Sequence, residues 1–106
     1  MTKYKKNSLI VNAFQFTETD KIKVYRWAKE IQYNIEPSYR NGKPVIIVPT
    51  PEGEMICGID DWLIEESLPD GQKKIYPLNP EIFDKTFKPI NSGVFDSNKY
   101  FKPINN

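Results

Sequence analysis

Whatever chemistry this chain performs, it performs without histidine. The 106-residue sequence has no His and a single cysteine, Cys57. Zinc sites are built from clusters of Cys and His, so none can form. Ser-His-Asp and Cys-His nucleophiles are equally out of reach. Carboxylates, lysines and tyrosines remain. Asp60 and Asp61 stand directly before Trp62. A carboxylate pair there could hold a hard metal ion or work as acid and base. Adjacent residues of a strand point to opposite faces, however, so neighbouring aspartates rarely share a ligand. An acidic turn leading into a strand, with Trp62 packed inward, is the plainer reading. "PDGQKK", residues 69–74, is similar to the opening of a nuclease pattern in which Pro-Asp is followed by acid-x-Lys. Only Gln72 and Lys73 stand where that acid is needed, and Asp70-Gly71 is better explained as a turn.

The only arginines are Arg26 and Arg40. Arginine grips phosphate bidentately. Arg26 lies between Tyr25 and Trp27, and Arg40 follows Tyr39. Such Arg and Tyr neighbours hold nucleotides by stacking and charge, which makes Arg26, Tyr39 and Arg40 candidate ligand contacts. Taken singly, each also fits a solvated helix face or a loop. Trp27 fits an apolar helix stripe, and Met55 and Cys57 alternate on a strand and read as core.

The elements that would position these residues follow from spacing. "SLIVNAFQF", residues 8–16, reads as a strand whose two faces are both mostly apolar, which suggests either cover on both sides or a bulge where the parity slips. Thr19 or Asp20 can cap a helix carrying Val24, Trp27, Ala28 and Ile31 on one stripe, ending at the latest by Pro37. Asn41-Gly42 signals a tight turn. "VIIV" at 45–48 and "EMICGI" at 54–59 read as two strands around Pro49, Pro51 and Gly53. "DDWLIEE" and "KKIYPL" read as the arms of a hairpin around "LPDGQ". "NPEIFDKTF" offers a cap, a proline at the first helical position and a short helix. "FKPI" is at most an edge strand, because Pro89 cannot donate to a ladder.

Composition narrows the class. Hydrophobic residues are 39%, aromatics 13% and charged residues 27%, with a net charge of +1. That length fits one domain with one modest core. The charge balance argues against a nucleic-acid binder that works by bulk charge. One thiol makes no internal disulfide and fits a reducing cytoplasm. The basic-then-apolar start has too short an apolar part for a signal peptide, and no run approaches the ~20 apolar residues of a membrane span.

Three blocks, in order, resemble a family of small proteins encoded by phages and prophages of Gram-positive bacteria. "TKYKKNSLIVNAFQF" is similar to that family's "KYRKKPVVIEAFQW", and "IDDWLIEE" to its "DWII". "KKIYPLNPEIFDKTFKPI" is similar to its C-terminal "YPCKPDIFEKTYEPV", through Tyr76, Pro77, Pro80, Ile82, Phe83, Lys85, Thr86 and Phe87. Together they cover roughly residues 3–90. Phe16 replaces the family's tryptophan and Leu78 its cysteine. The family's compact hairpin is replaced here by "IEESLPDGQKKI", which is expected to carry Glu65, Glu66, Lys73 and Lys74 on an extended recognition loop. The family pattern ends near Ile90, yet "FKPIN" recurs at 101–105. Phe95, Tyr100, Phe101 and Ile104 are apolar for a tail, and they are candidates for self-association, by packing on a neighbouring copy or as an added strand, or for packing on their own chain.

The expected fold is α+β: one small, curved antiparallel sheet packed on one main helix, with a short helix near the C-terminus. The expected organisation is a domain at 1–91 and an extension at 92–106. The core is expected to centre on Trp27, Ile46, Val48, Ile64 and Phe83. The resemblance implies a lineage and a fold rather than a reaction. The expected function is that of a non-enzymatic phage accessory protein in the host cytoplasm. It would bind and inhibit, or sequester, a host protein or a nucleotide-like defence signal, with no metal or cofactor and with a homodimer as the default assembly. Nucleic acid and membrane are not expected partners. A small carboxylate-dependent phosphodiesterase or nuclease, and a morphogenesis accessory protein, are the alternatives.

Overall fold

The computed structural model describes residues 8–90 and 98–103. The chain runs β1 (Ser8–Gln15), α1 (Lys21–Ile31), β2 (Glu36–Arg40), β3 (Lys43–Thr50), β4 (Gly53–Cys57), β5 (Trp62–Ser67), β6 (Lys73–Leu78), α2 (Pro80–Thr86), β7 (Lys88–Pro89) and β8 (Lys99–Pro103). The strands form two antiparallel sheets, one ordered β6-β5-β1-β8-β7 and the other β2-β3-β4.

β1 is apolar at both parities because it lies in the middle of the larger sheet. Val11 and Ala13 turn to one face, where they meet Ile64, Phe83 and Phe87. Phe14 and Phe16 belong to the other face, with Leu63, Ile75, Val24, Ala28, Ile46 and Val48. The first face is closed by α2. Asn79 caps this short helix by accepting from the Ile82 N–H at 2.9 Å, and Pro80 takes the first helical position. The helix sets Phe83 flat on Trp62, with ring centroids 3.9 Å apart and planes 5° apart. The second face is closed by α1 and the three-stranded sheet together.

This arrangement corrects the expected fold. The chain is mostly β, with two sheets and two short helices, and not one sheet packed on one main helix. The cause is the length of α1. Its 11 residues bury only Val24 and Ala28 fully, too little to cover a sheet face, so β3 and β4 complete the cover. The expected single core is likewise two clusters on opposite sides of the larger sheet. Ile46 and Val48 lie in one, Ile64 and Phe83 in the other, and Trp27 packs at the margin of the first.

β2 and β3 join through Asn41 and Gly42 at φ 54° and 76°. Both angles are positive, as the twist-matched two-residue hairpin turn requires. β8 realises the expected alternative in which the tail packs on its own chain as a strand. It pairs with β1 along Ser8↔Pro103 to Asn12↔Lys99 and with β7 at Lys88↔Phe101 and Pro89↔Tyr100. The segment that repeats "FKPIN" thus enters the same sheet as the expected 1–91 domain. No helix among the described residues is long and apolar enough to cross a membrane.

Candidate functional site

Glu65, Glu66, Lys73 and Lys74 do not lie on a loop. They are paired strand residues of β5 and β6, with Glu66 opposite Lys74 and Ser67 opposite Lys73, and only 68–72 form the turn. Successive strand residues face opposite ways, so the four separate into two pairs. Glu65 is 6% exposed. Its Oε1 accepts from Asn12 Nδ2 at 2.9 Å, and its Oε2 meets Lys73 Nζ at 3.0 Å. Asn12 Oδ1 in turn accepts from Lys99 Nζ at 2.9 Å. This polar row crosses β6, β5, β1 and β8 and satisfies the buried carboxylate from two sides. The row links four strands, which corrects the expectation that Glu65 and Lys73 lie on an extended loop. On the other side, the Tyr76 hydroxyl donates to Glu66 Oε1 at 3.0 Å. Burial and the neighbouring Glu66 carboxylate push the Tyr76 phenol well above its ordinary range.

Asp60 and Asp61 form a turn, as the plainer reading has it. Asp61 Oδ2 accepts from the Gly58 N–H at 2.8 Å, and Asp60 sits at φ 78° with its side chain exposed. Burial raises the Asp61 carboxyl above the usual range, against the lowering pull of the Gly58 N–H. Among the described residues no three His, Cys, Asp or Glu side chains gather so as to hold a metal ion. Cys57 is fully buried, and its thiol is pushed far up by desolvation. Tyr100 and Phe101 lie on β8, docked on their own chain. Tyr100 sets its edge against Trp62 and Phe83 at 5.5 and 5.0 Å. Phe95 and Ile104 lie outside the described residues.

Tyr39 is brought to a groove, whereas Arg40, its neighbour on β2, and Arg26 are not among the residues that line it. The first turns of α1 face the β2–β3 hairpin across a groove of about 120 Å³, floored by Phe16, Val45 and Ile46. Tyr25 and Ile22 form its helix wall, and Pro37, Tyr39 and Pro44 its hairpin wall. Tyr39 and Pro44 are cross-strand partners. Two large apolar side chains stand out at this groove, Ile22 at 61% and Tyr39 at 69% exposure. Arg26 follows Ile22 by one helical turn. Arg40 and Lys43 stand opposite each other beside the hairpin turn. Neither arginine nor Lys43 is ion-paired among the described residues, whereas Lys21 is held by Glu18 at 2.7 Å.

No protein-family model, curated protein or solved structure matches this chain.

The groove's chemistry is therefore read from its own residues. Its floor is apolar, its volume suits one partner side chain, and the one cation among its lining residues, Lys21, is paired with Glu18. Sequence reasoning had Tyr39 and Arg40 but missed Ile22, which it placed neither on the apolar stripe nor among the contacts. The available signal was an isoleucine on the polar side of an otherwise charged helix face.

Proposed function

We propose that this chain works by binding rather than by catalysis, as a phage-lineage accessory protein that inhibits or sequesters a host protein. The observation that carries the reading is the pair of exposed apolar side chains, Ile22 and Tyr39, on the two walls of one apolar groove. Interfaces concentrate their energy in a few aromatic and arginine side chains around pockets that take a partner's anchor. Tyr39 supplies the aromatic at the groove, and Arg40 beside it on β2 and Arg26 one helical turn beyond Ile22, neither ion-paired among the described residues, suit a partner whose anchor is flanked by acidic residues. The three sequence blocks similar to phage proteins support the lineage.

The full-length chain, tagged and mixed with host lysate, is expected to retain one host protein at a fixed stoichiometry. Ile22→Ser combined with Tyr39→Ser should abolish that retention and leave the melting midpoint in place, since both side chains are exposed. Retention that survives the double substitution would refute the site. Metal-dependent phosphodiester turnover by the purified chain would refute the non-catalytic reading.

A further inference from the structure

β6 and β8 of the larger sheet carry four lysines, and the structure treats them in two ways. Lys73 and Lys99 are bonded within the Glu65 row. Lys74 and Lys102 belong to the opposite face, in register with Glu66 and Leu9. Neither of these two ammonium groups reaches a carboxylate among the described residues. The case of Lys74 is pointed. Its direct cross-strand neighbour is a glutamate, yet its Nζ stands 5.4 Å above the Tyr76 ring, and Glu66 is bonded instead by the Tyr76 hydroxyl.

Lys74 and Lys102 are both among the residues lining one cleft of about 410 Å³, which also takes in β6 and the β3–β4 turn. It shares no lining residue with the groove beside Tyr39. Its volume lies within the ~300–1,000 Å³ of small-molecule sites. Met55, Pro49 and Pro51 offer an apolar wall, while Glu52 and Glu66 are its carboxylates. Two lysines acting as point charges suit a dianionic oxyanion. The two carboxylates would repel further negative charge and accept hydrogen bonds from amino or hydroxyl groups. Flat rings pack well on methionine and on aromatic faces.

We infer that this cleft binds a nucleoside monophosphate, with the phosphate between Lys74 and Lys102 and the base against the Met55 wall. A single phosphate satisfies the lysines, and a triphosphate meets Glu52 and Glu66 unfavourably. Tyr76 is a positioning residue: its hydroxyl holds Glu66 away from Lys74 and leaves that ammonium to the ligand.

Titration calorimetry on the full chain with AMP, GMP, CMP and UMP tests this at low salt. At least one is expected to bind, with adenosine, inorganic phosphate and ATP each at least tenfold weaker than AMP if AMP is the ligand, and correspondingly for the other bases. Lys74→Ala and Lys102→Ala should each weaken binding about tenfold or more, while Lys85→Ala on α2 leaves it unchanged. Tyr76→Phe should weaken binding less than either lysine variant, because the ring is kept. No binding by any of the four monophosphates would overturn the inference. So would affinity that ignores Lys74 and Lys102, or inorganic phosphate binding as tightly as the nucleotide. Because the two sites share no lining residue, Ile22→Ser with Tyr39→Ser should leave nucleotide binding intact, which separates this outcome from that of the groove.

Discussion

Replacing Phe83 with alanine should remove the keystone of the α2 face. Phe83 is 3% exposed. Its ring lies 3.9 Å from Trp62, 5.3 Å from Phe87 and 5.0 Å from Tyr100, so it touches α2, β5 and β8 and the entry to β7 at once. Truncating a buried Phe to Ala costs about 3–5 kcal/mol, because the cavity adds to the lost transfer energy. Each aromatic pair adds about 0.5–1.5 kcal/mol beyond buried area, and three such partners place the expected loss toward the upper end of that range. Domains of this size are stable by only about 5–15 kcal/mol. At roughly 4 °C per kcal/mol, the melting midpoint should fall by about 12–20 °C. Thermal melts followed by far-UV circular dichroism measure the fall, and near-UV spectra report the environment of Trp62. Ile82 is the internal control. It neighbours Phe83 on the same helix but is 48% exposed, so Ile82→Ala should cost no more than about 1 kcal/mol. A Phe83→Ala midpoint within the Ile82→Ala shift would show that α2 does not dock as described.

Three further outcomes are expected. Glu65→Ala strands Asn12 and Lys73 and should cost about 1–3 kcal/mol in urea denaturation; an unchanged midpoint would mean that the polar row contributes nothing. The Asp61 carboxyl is raised by burial, so its protonated form favours the fold, and that contribution is lost as pH rises through the folded value. Asp61→Asn keeps an acceptor for the Gly58 N–H, so its stability relative to the parent should be higher at about pH 7 than at about pH 3; a constant difference across that range refutes the assignment. Truncation after Asn91 removes β8 and uncovers the β1 edge, so light scattering should find the full chain monomeric and the truncated chain prone to associate and less stable. Equal stability and a monomer in both forms would show that β8 is dispensable.

What the sequence revealed depended on the kind of signal each element carries. α1 was legible from Val24 and Ala28 at helical spacing, α2 from Asn79 and Pro80, the β5–β6 hairpin from Asp70-Gly71, and the turn before β3 from Asn41-Gly42. The covering of β1 on both sides was legible from its two apolar parities. β2 was not, because four of its five residues, Glu36, Pro37, Tyr39 and Arg40, are exposed and leave no alternation to read. The division into two sheets was hidden for the same reason: without β2, β3 and β4 look like a further hairpin of a single sheet. Glu65 was misread because a charged residue beside a turn suggests a loop, while its burial depends on Asn12 and Lys99, which are distant in sequence. Of the groove, the hairpin's aromatic and arginine were visible, but the pairing of Tyr39 with Ile22 exists only once α1 lies across β3.

The β1–β8 ladder also fixes when the larger sheet can close. Of the strands described, β1 leaves the ribosome first and its partner Lys99–Pro103 last. Until then one edge of β1 is open and the Trp62–Phe83 stack lacks the edge of Tyr100. The three-stranded sheet, whose pairings all lie within residues 36–57, has no such wait. Local ladders form quickly, and ladders between distant segments pay for loop closure first. During synthesis the nascent chain therefore carries a finished hairpin unit beside an unfinished sheet, and an exposed strand edge in that interval is where a chaperone, or a second nascent copy, would engage it.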